Sequence, residues 1–108
     1  MWLNNRKESG WLETKIQSEA RKYSLLRRWK LALKIAWATE NGMPDYFFMR
    51  KTKRCEHCGR MGEILFIEFK KKDEVPSTQQ LERHDEIREC GFNVVWVDNL
   101  EDAKRHLK

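Results

Sequence analysis

Three side chains are placed for chemistry: Asp45, directly after Pro44, and the pair Glu68 and Lys70 inside the apolar run from Ile64 to Phe69. Residues two apart on a strand emerge on the same face, so Glu68 and Lys70 share one. A charged pair on the face of an internal strand is costly unless the charges are paired with each other or bind a cation. Hard divalent cations take carboxylate and carbonyl oxygens, polarise a phosphoryl group and acidify a water, as phosphodiester hydrolysis at neutral pH requires. If Asp45 and Glu68 end neighbouring strands of a hairpin, both can reach one ion with Lys70 beside it. The competing reading is an edge-strand ion pair of Glu68 with Lys70 facing water.

The elements that must position these groups are legible in the periodicity. Residues 1–10 are polar and irregular and read as an N-terminal arm to one domain over 11–108. Leu12, Ile16, Ala20, Tyr23 and Leu26 recur at spacings of three and four, predicting a helix from Trp11 to Trp29 whose stripe packs on a sheet. Leu33, Ile35 and Trp37 alternate with Lys34, Ala36 and Ala38 as a first strand, which Asn41-Gly42 and Pro44 end. Tyr46 to Met49 predicts a buried second strand, 50–63 a loop, and Ile64 to Phe69 a third strand antiparallel to the second. Ser77 with Gln80 has capping-box spacing and opens a helix that ends at Gly91. Phe92 to Val97 predicts a strand parallel to the third through a right-handed crossover, and Leu100 to Leu107 a last helix. The order αβββαβα makes this an α/β fold with a mixed four-stranded sheet flanked by helices.

With 108 residues, 40% hydrophobic and 36% charged, the chain has room for one modest core and no apolar run long enough to span a membrane. The N-terminus lacks the pattern of a secretory signal, and three cysteines argue against a disulfide framework, so an intracellular setting is expected. Net charge is +5 and unevenly spread. Arg21, Lys22, Arg27, Arg28, Lys30 and Lys34 form a run without an acid, and Arg50, Lys51, Lys53, Arg54 and Arg60 form a second cluster. Such patches fit a polyanionic partner, the alternative being a solvated surface. Trp2 and Trp11 could stack on an exposed base, although Trp11 fits the core better.

The segments GMPDYFFM, ILFIEFKKKDEVPSTQQ and GFNVVWVDNLEDAKRHL, in that order, resemble the VRR-NUC nucleases of the PD-(D/E)xK, restriction-endonuclease-like superfamily, over residues 13–107. The resemblance implies a DNA phosphodiesterase using Mg²⁺ or Mn²⁺, of the stand-alone type found in phages and bacteria, with branched or four-way junctions among its substrates. It makes Asp45, Glu68 and the backbone carbonyl of Phe69 metal ligands, and Lys70 the group that orients the attacking water and stabilises negative charge. Gln80 takes the place of the family's glutamine, with Gln79 as the alternative, and Glu13 that of its helix-one glutamate, with Gln17 one turn on. Gln80 as a capping residue and Glu13 as an acid favoured at a helix N-terminus are the plainer alternatives.

Under this reading Arg21, Arg28, Lys51, Lys53, Arg54, Lys71 and Lys72 hold the DNA backbone without reading sequence. A homodimer is expected, because one core of this size supplies one active site and a junction needs paired cuts. The departure from the family is the hairpin tip within 50–63, where CEHCGRMGE brings Cys55, His57 and Cys58. Cys-x-x-Cys-Gly is half of a zinc ribbon, but tetrahedral zinc needs four ligands and only His84, Cys90 and His106 remain, so reduced thiols are expected rather than zinc. A non-catalytic DNA-binding module and a zinc-stabilised interaction module are the other classes the sequence leaves open.

Overall fold

The computed structural model describes residues 13–35, 42–59 and 61–108. The readings made above for residues 1–12, 36–41 and 60, Trp2, Trp11, Trp37 and Arg60 among them, lie outside the described residues. The elements are α1 (Glu13–Leu26), β1 (Leu31–Lys34), β2 (Tyr46–Lys51), β3 (Gly62–Phe69), α2 (Thr78–Glu89), β4 (Asn93–Val97) and α3 (Leu100–His106). The sheet runs β1-β2-β3-β4, antiparallel in its first two pairs and parallel between β3 and β4, with α2 as the crossover. The predicted order and the antiparallel hairpin are both present.

One face of the sheet carries the core. Ala32, Tyr46, Phe48, Leu65, Ile67, Phe69 and Val97 pack there against Ile16 and Ala20 of α1 and Ala103 and Leu107 at the C-terminal end. Trp29 closes one side: its ring meets Phe48 edge-on at 6.1 Å and its indole N–H donates to the Leu107 carbonyl at 2.8 Å. Phe48 is wholly buried at the centre. Phe48→Ala should therefore cost about 3 to 5 kcal/mol in urea denaturation, a large fraction of the roughly 5 to 15 kcal/mol that holds a domain folded; a loss under about 1 kcal/mol would misplace the core.

Four details differ from the sequence reading. The first helix ends at Leu26, not Trp29, because Arg28 adopts φ 70° and the chain closes with Trp29 N–H donating to Ser24 and Arg28 N–H to Leu25. This turn sends Trp29 into the core and leaves Leu26 81% exposed, so Leu26 is no part of the packed stripe. The first strand, read from Leu33 onward, already starts at Leu31 and ends at Lys34 among the described residues, with Ala32 facing the core and Leu31 and Leu33 on the opposite face across from Met49 and Phe47. With Trp29 and α1 filling the space above it, the core side of this strand has room for a small side chain. The loop assigned to 50–63 is shorter, because Arg50 and Lys51 pair with Glu63 and Gly62 and extend the hairpin, the Arg50–Glu63 ion pair crossing the strands.

The crossover helix begins and ends as its residues dictate. Ser77 and Gln80 form the capping box, each side chain accepting from the other's backbone N–H. Gly91 at φ 91° stops the helix, with Phe92 N–H donating to Ile87. Among the described residues no helix is long and apolar enough to cross a membrane.

Candidate active site

Strand register brings the predicted carboxylates together. Tyr46 pairs with Ile67 at the open end of the hairpin, so one step further Asp45 stands opposite Glu68, on the sheet face away from the core. Asp45 Oδ2 accepts the Phe69 backbone N–H at 2.8 Å. Another step on, Pro44 falls opposite Phe69 and has no N–H to offer. The proline thus ends the ladder where the aspartate begins: it cannot donate to the Phe69 carbonyl, while the Phe69 N–H takes the Asp45 carboxylate as its acceptor. The loop leading here is held tightly against α2: a Cβ on Gly42 would meet the Gln79 carbonyl oxygen at 2.9 Å and Arg83 Cβ at 3.3 Å, and its φ of 85° suits glycine alone.

Asp45 is pushed up to about 7 from the ordinary 3.8, first by burial, then by the charge of Glu68 and a hydrogen bond shared with it, against the pull of the Phe69 N–H and Lys70. Glu13, at the start of α1, is raised too, by burial and then by Asp45, with Lys70 and Lys71 opposing. Glu13, Asp45, Glu68 and Lys70 are thus electrostatic neighbours, drawn from α1, the β2 entrance and the end of β3. Glu68 is 2% exposed, and its Oε1 has no hydrogen-bond partner among the described residues.

A protonation preference of this kind is a statement about stability. A carboxyl with a raised folded pKa binds its proton more tightly folded than unfolded, so its contribution is complete below the unfolded value and is lost as pH rises through the folded one. In chelator the melting temperature should accordingly fall between about pH 4 and 7 from this source, and Asp45→Asn should flatten that fall. An equally steep fall in the variant would assign it elsewhere.

The other sequence-predicted residues are distributed as follows. Gln80 gives its side-chain oxygen to the Ser77 N–H, and Gln79 is exposed. Gln17, one turn beyond Glu13, is buried. Lys71 and Lys72 are exposed directly beyond Lys70. Lys51, Lys53 and Arg54 are exposed at the hairpin tip, six residues of strand and so roughly 20 Å from Asp45. Arg28 is exposed at the end of α1, and Arg21 donates through Nε to the Ala32 carbonyl at 3.0 Å, tying α1 to β1. Cys55 and Cys58 are exposed in the turn closed by Gly59 N–H on the Cys55 carbonyl at 2.7 Å, and neither is in a disulfide. Among the described residues no three His, Cys, Asp or Glu side chains are grouped to hold a metal ion. The Asp45–Glu68 pair would complete its shell with backbone and water oxygens, as Mg²⁺ sites commonly do.

One residue escaped the sequence reading of this site. His84 is fully buried on α2 with Nε2 3.7 Å from Glu68 Oε1. The available signal was its spacing, four residues after Gln80 and three before Ile87, which places the three on one helical face.

No family model matches the chain, nor does any curated protein. A solved structure described as a VRR_NUC domain aligns with a TM-score of 0.67 at 24% identity, covering 86% of this chain and 90% of that one. The fold is therefore that of a VRR-NUC domain, a compact α/β arrangement around a mixed four-stranded sheet, as the three sequence segments implied.

Proposed function

We propose that this protein is a divalent-metal-dependent DNA endonuclease. The observation that carries the reading is the meeting of Asp45 and Glu68 across the hairpin, with Lys70 acting on the same site. Two carboxylates side by side, Glu68 buried and Asp45 half-buried, repel, and an unpaired buried oxygen on Glu68 costs more still. A cation relieves both penalties, so the donor set fits Mg²⁺ or Mn²⁺. The Phe69 carbonyl fits a third position, because a strand residue presents N–H and C=O to the same neighbour and Pro44 cannot bond to it.

A bound divalent ion would polarise the scissile phosphate and acidify a water. Asp45 and Glu68 would hold the ion, Asp45 giving up its proton on binding it. Lys70 places its ammonium against developing phosphate charge and orients the water. Glu13 adds negative charge from the α1 side, and Gln80 contributes from α2 while capping it. Lys71 and Lys72 grip the backbone beside the cut, and Arg21, Arg28, Lys51, Lys53 and Arg54 hold it further away. Two copies of the chain would make the paired cuts a four-way junction needs, in a reducing, intracellular setting that suits three thiols outside disulfides.

The test is incubation of the purified protein with linear, flapped, single-stranded and four-way DNA, with Mn²⁺ or with chelator. Cleavage with Mn²⁺ and none in chelator, highest on branched DNA, is expected; a protein that binds DNA but cuts none of these with Mn²⁺ would be a binding module instead.

A further inference from the structure

Three buried polar atoms without hydrogen-bond partners among the described residues sit in two neighbouring side chains: Oε1 of Glu68 and both ring nitrogens of His84. His84 is 0% exposed and Glu68 2%, so bulk water reaches neither. Orphaned polar atoms at this depth are rare and commonly mark a functional contact that other states of the molecule complete. Glu68 stands between two groups, the Asp45 carboxyl across the hairpin and the His84 ring on α2. Oε1 of this carboxylate faces the imidazole at 3.7 Å, and the other oxygen is the one left for the Asp45 side.

We propose that His84 is a positioning residue for the metal site, its Nε2–H held for Glu68 Oε1 so that the opposite oxygen is fixed towards the ion. The separation of 3.7 Å is longer than a hydrogen bond, and a movement of about 0.7 Å by either side chain closes it. A carboxylate turned towards a cation exposes its far oxygen to whatever lies behind it, and in a dry interior a single N–H donor there selects one rotamer. The crossover helix supplies this donor from a rigid element, since α2 is capped at both ends and its entry is packed against the Gly42 loop. Metal-holding groups braced by such outer contacts lose about 10- to 100-fold in affinity when the brace is removed. The inference rests on the reading of Glu68 as a metal-holding carboxylate and adds to it the residue that sets its direction.

The experiment has two arms. Long-range ¹H–¹⁵N spectra of the ring in the parent protein, in chelator and with Mg²⁺, should show His84 protonated at Nε2, with that proton slow to exchange. Calorimetric titration with Mn²⁺ in the absence of DNA should give an affinity at least tenfold weaker for His84→Leu, and one within about threefold of the parent for His84→Gln, whose amide N–H can take the same place. A ring protonated only at Nδ1 overturns the proposal, and does so even if the leucine variant fails to fold. Equal Mn²⁺ affinity in a folded His84→Leu protein overturns it as well, while leaving the nuclease reading intact if the parent binds the ion and cuts DNA. A parent that neither binds Mn²⁺ nor cuts DNA overturns both.

Discussion

Asp45→Asn is expected to lose at least about a thousandfold in DNA cleavage, because a metal ion supplies several kcal/mol of transition-state charge stabilisation and each 1.36 kcal/mol is a factor of ten. The same substitution should raise thermal stability in chelator at pH 8. It removes a desolvated charge lying against Glu68, while an asparagine oxygen can still accept the Phe69 N–H. Opposite signs for activity and stability separate loss of a ligand from loss of fold. Single-turnover cleavage and thermal melting on one preparation would check both; a variant that cuts within tenfold of the parent would remove Asp45 from the site.

Lys70→Ala should lower cleavage by roughly a hundredfold or more, the usual cost of removing one group that stabilises developing charge. The loss should persist at saturating Mn²⁺, since a cation does not need an ammonium to bind. Lys70 also pulls the carboxyls of Asp45 and Glu13 down, so its removal should push both further up and move the pH at which Mn²⁺ binds half-maximally to a higher value. Rate and binding pH can be read on the same protein by quenched-flow cleavage and by calorimetry across pH. Parent-like cleavage by Lys70→Ala would show that the assignment of this side chain is wrong, whatever the metal does.

Much of the architecture was legible because its signals are local. Alternation along Ile64 to Phe69 predicts which side chains share a face, the Ser77–Gln80 spacing predicts a capped helix, and a helix between two strands predicts their parallel pairing. The expected order of elements followed from those rules alone. Errors arose where a local pattern met a competing long-range demand. The stripe through α1 continues to Leu26 in the sequence, but the turn at Arg28 exists to deliver Trp29 to Phe48 and Leu107, and no spacing within the helix records that. Likewise the alternation of β1 is readable, but which of its faces meets the core depended on Trp29 and α1 filling the space above Ala32.

The candidate site divides in the same way. That Asp45 follows a proline and that Glu68 and Lys70 share a strand face are facts of order and period, determined by the chain as written. Tertiary structure alone decided that Asp45 takes the Phe69 amide, that burial beside Glu68 pushes its carboxyl up to about 7, and that His84 stands behind Glu68. Periodicity reports which way a side chain leaves its own element. Which side chain of another element it meets, and whether water comes between them, is set by packing between segments far apart in the chain.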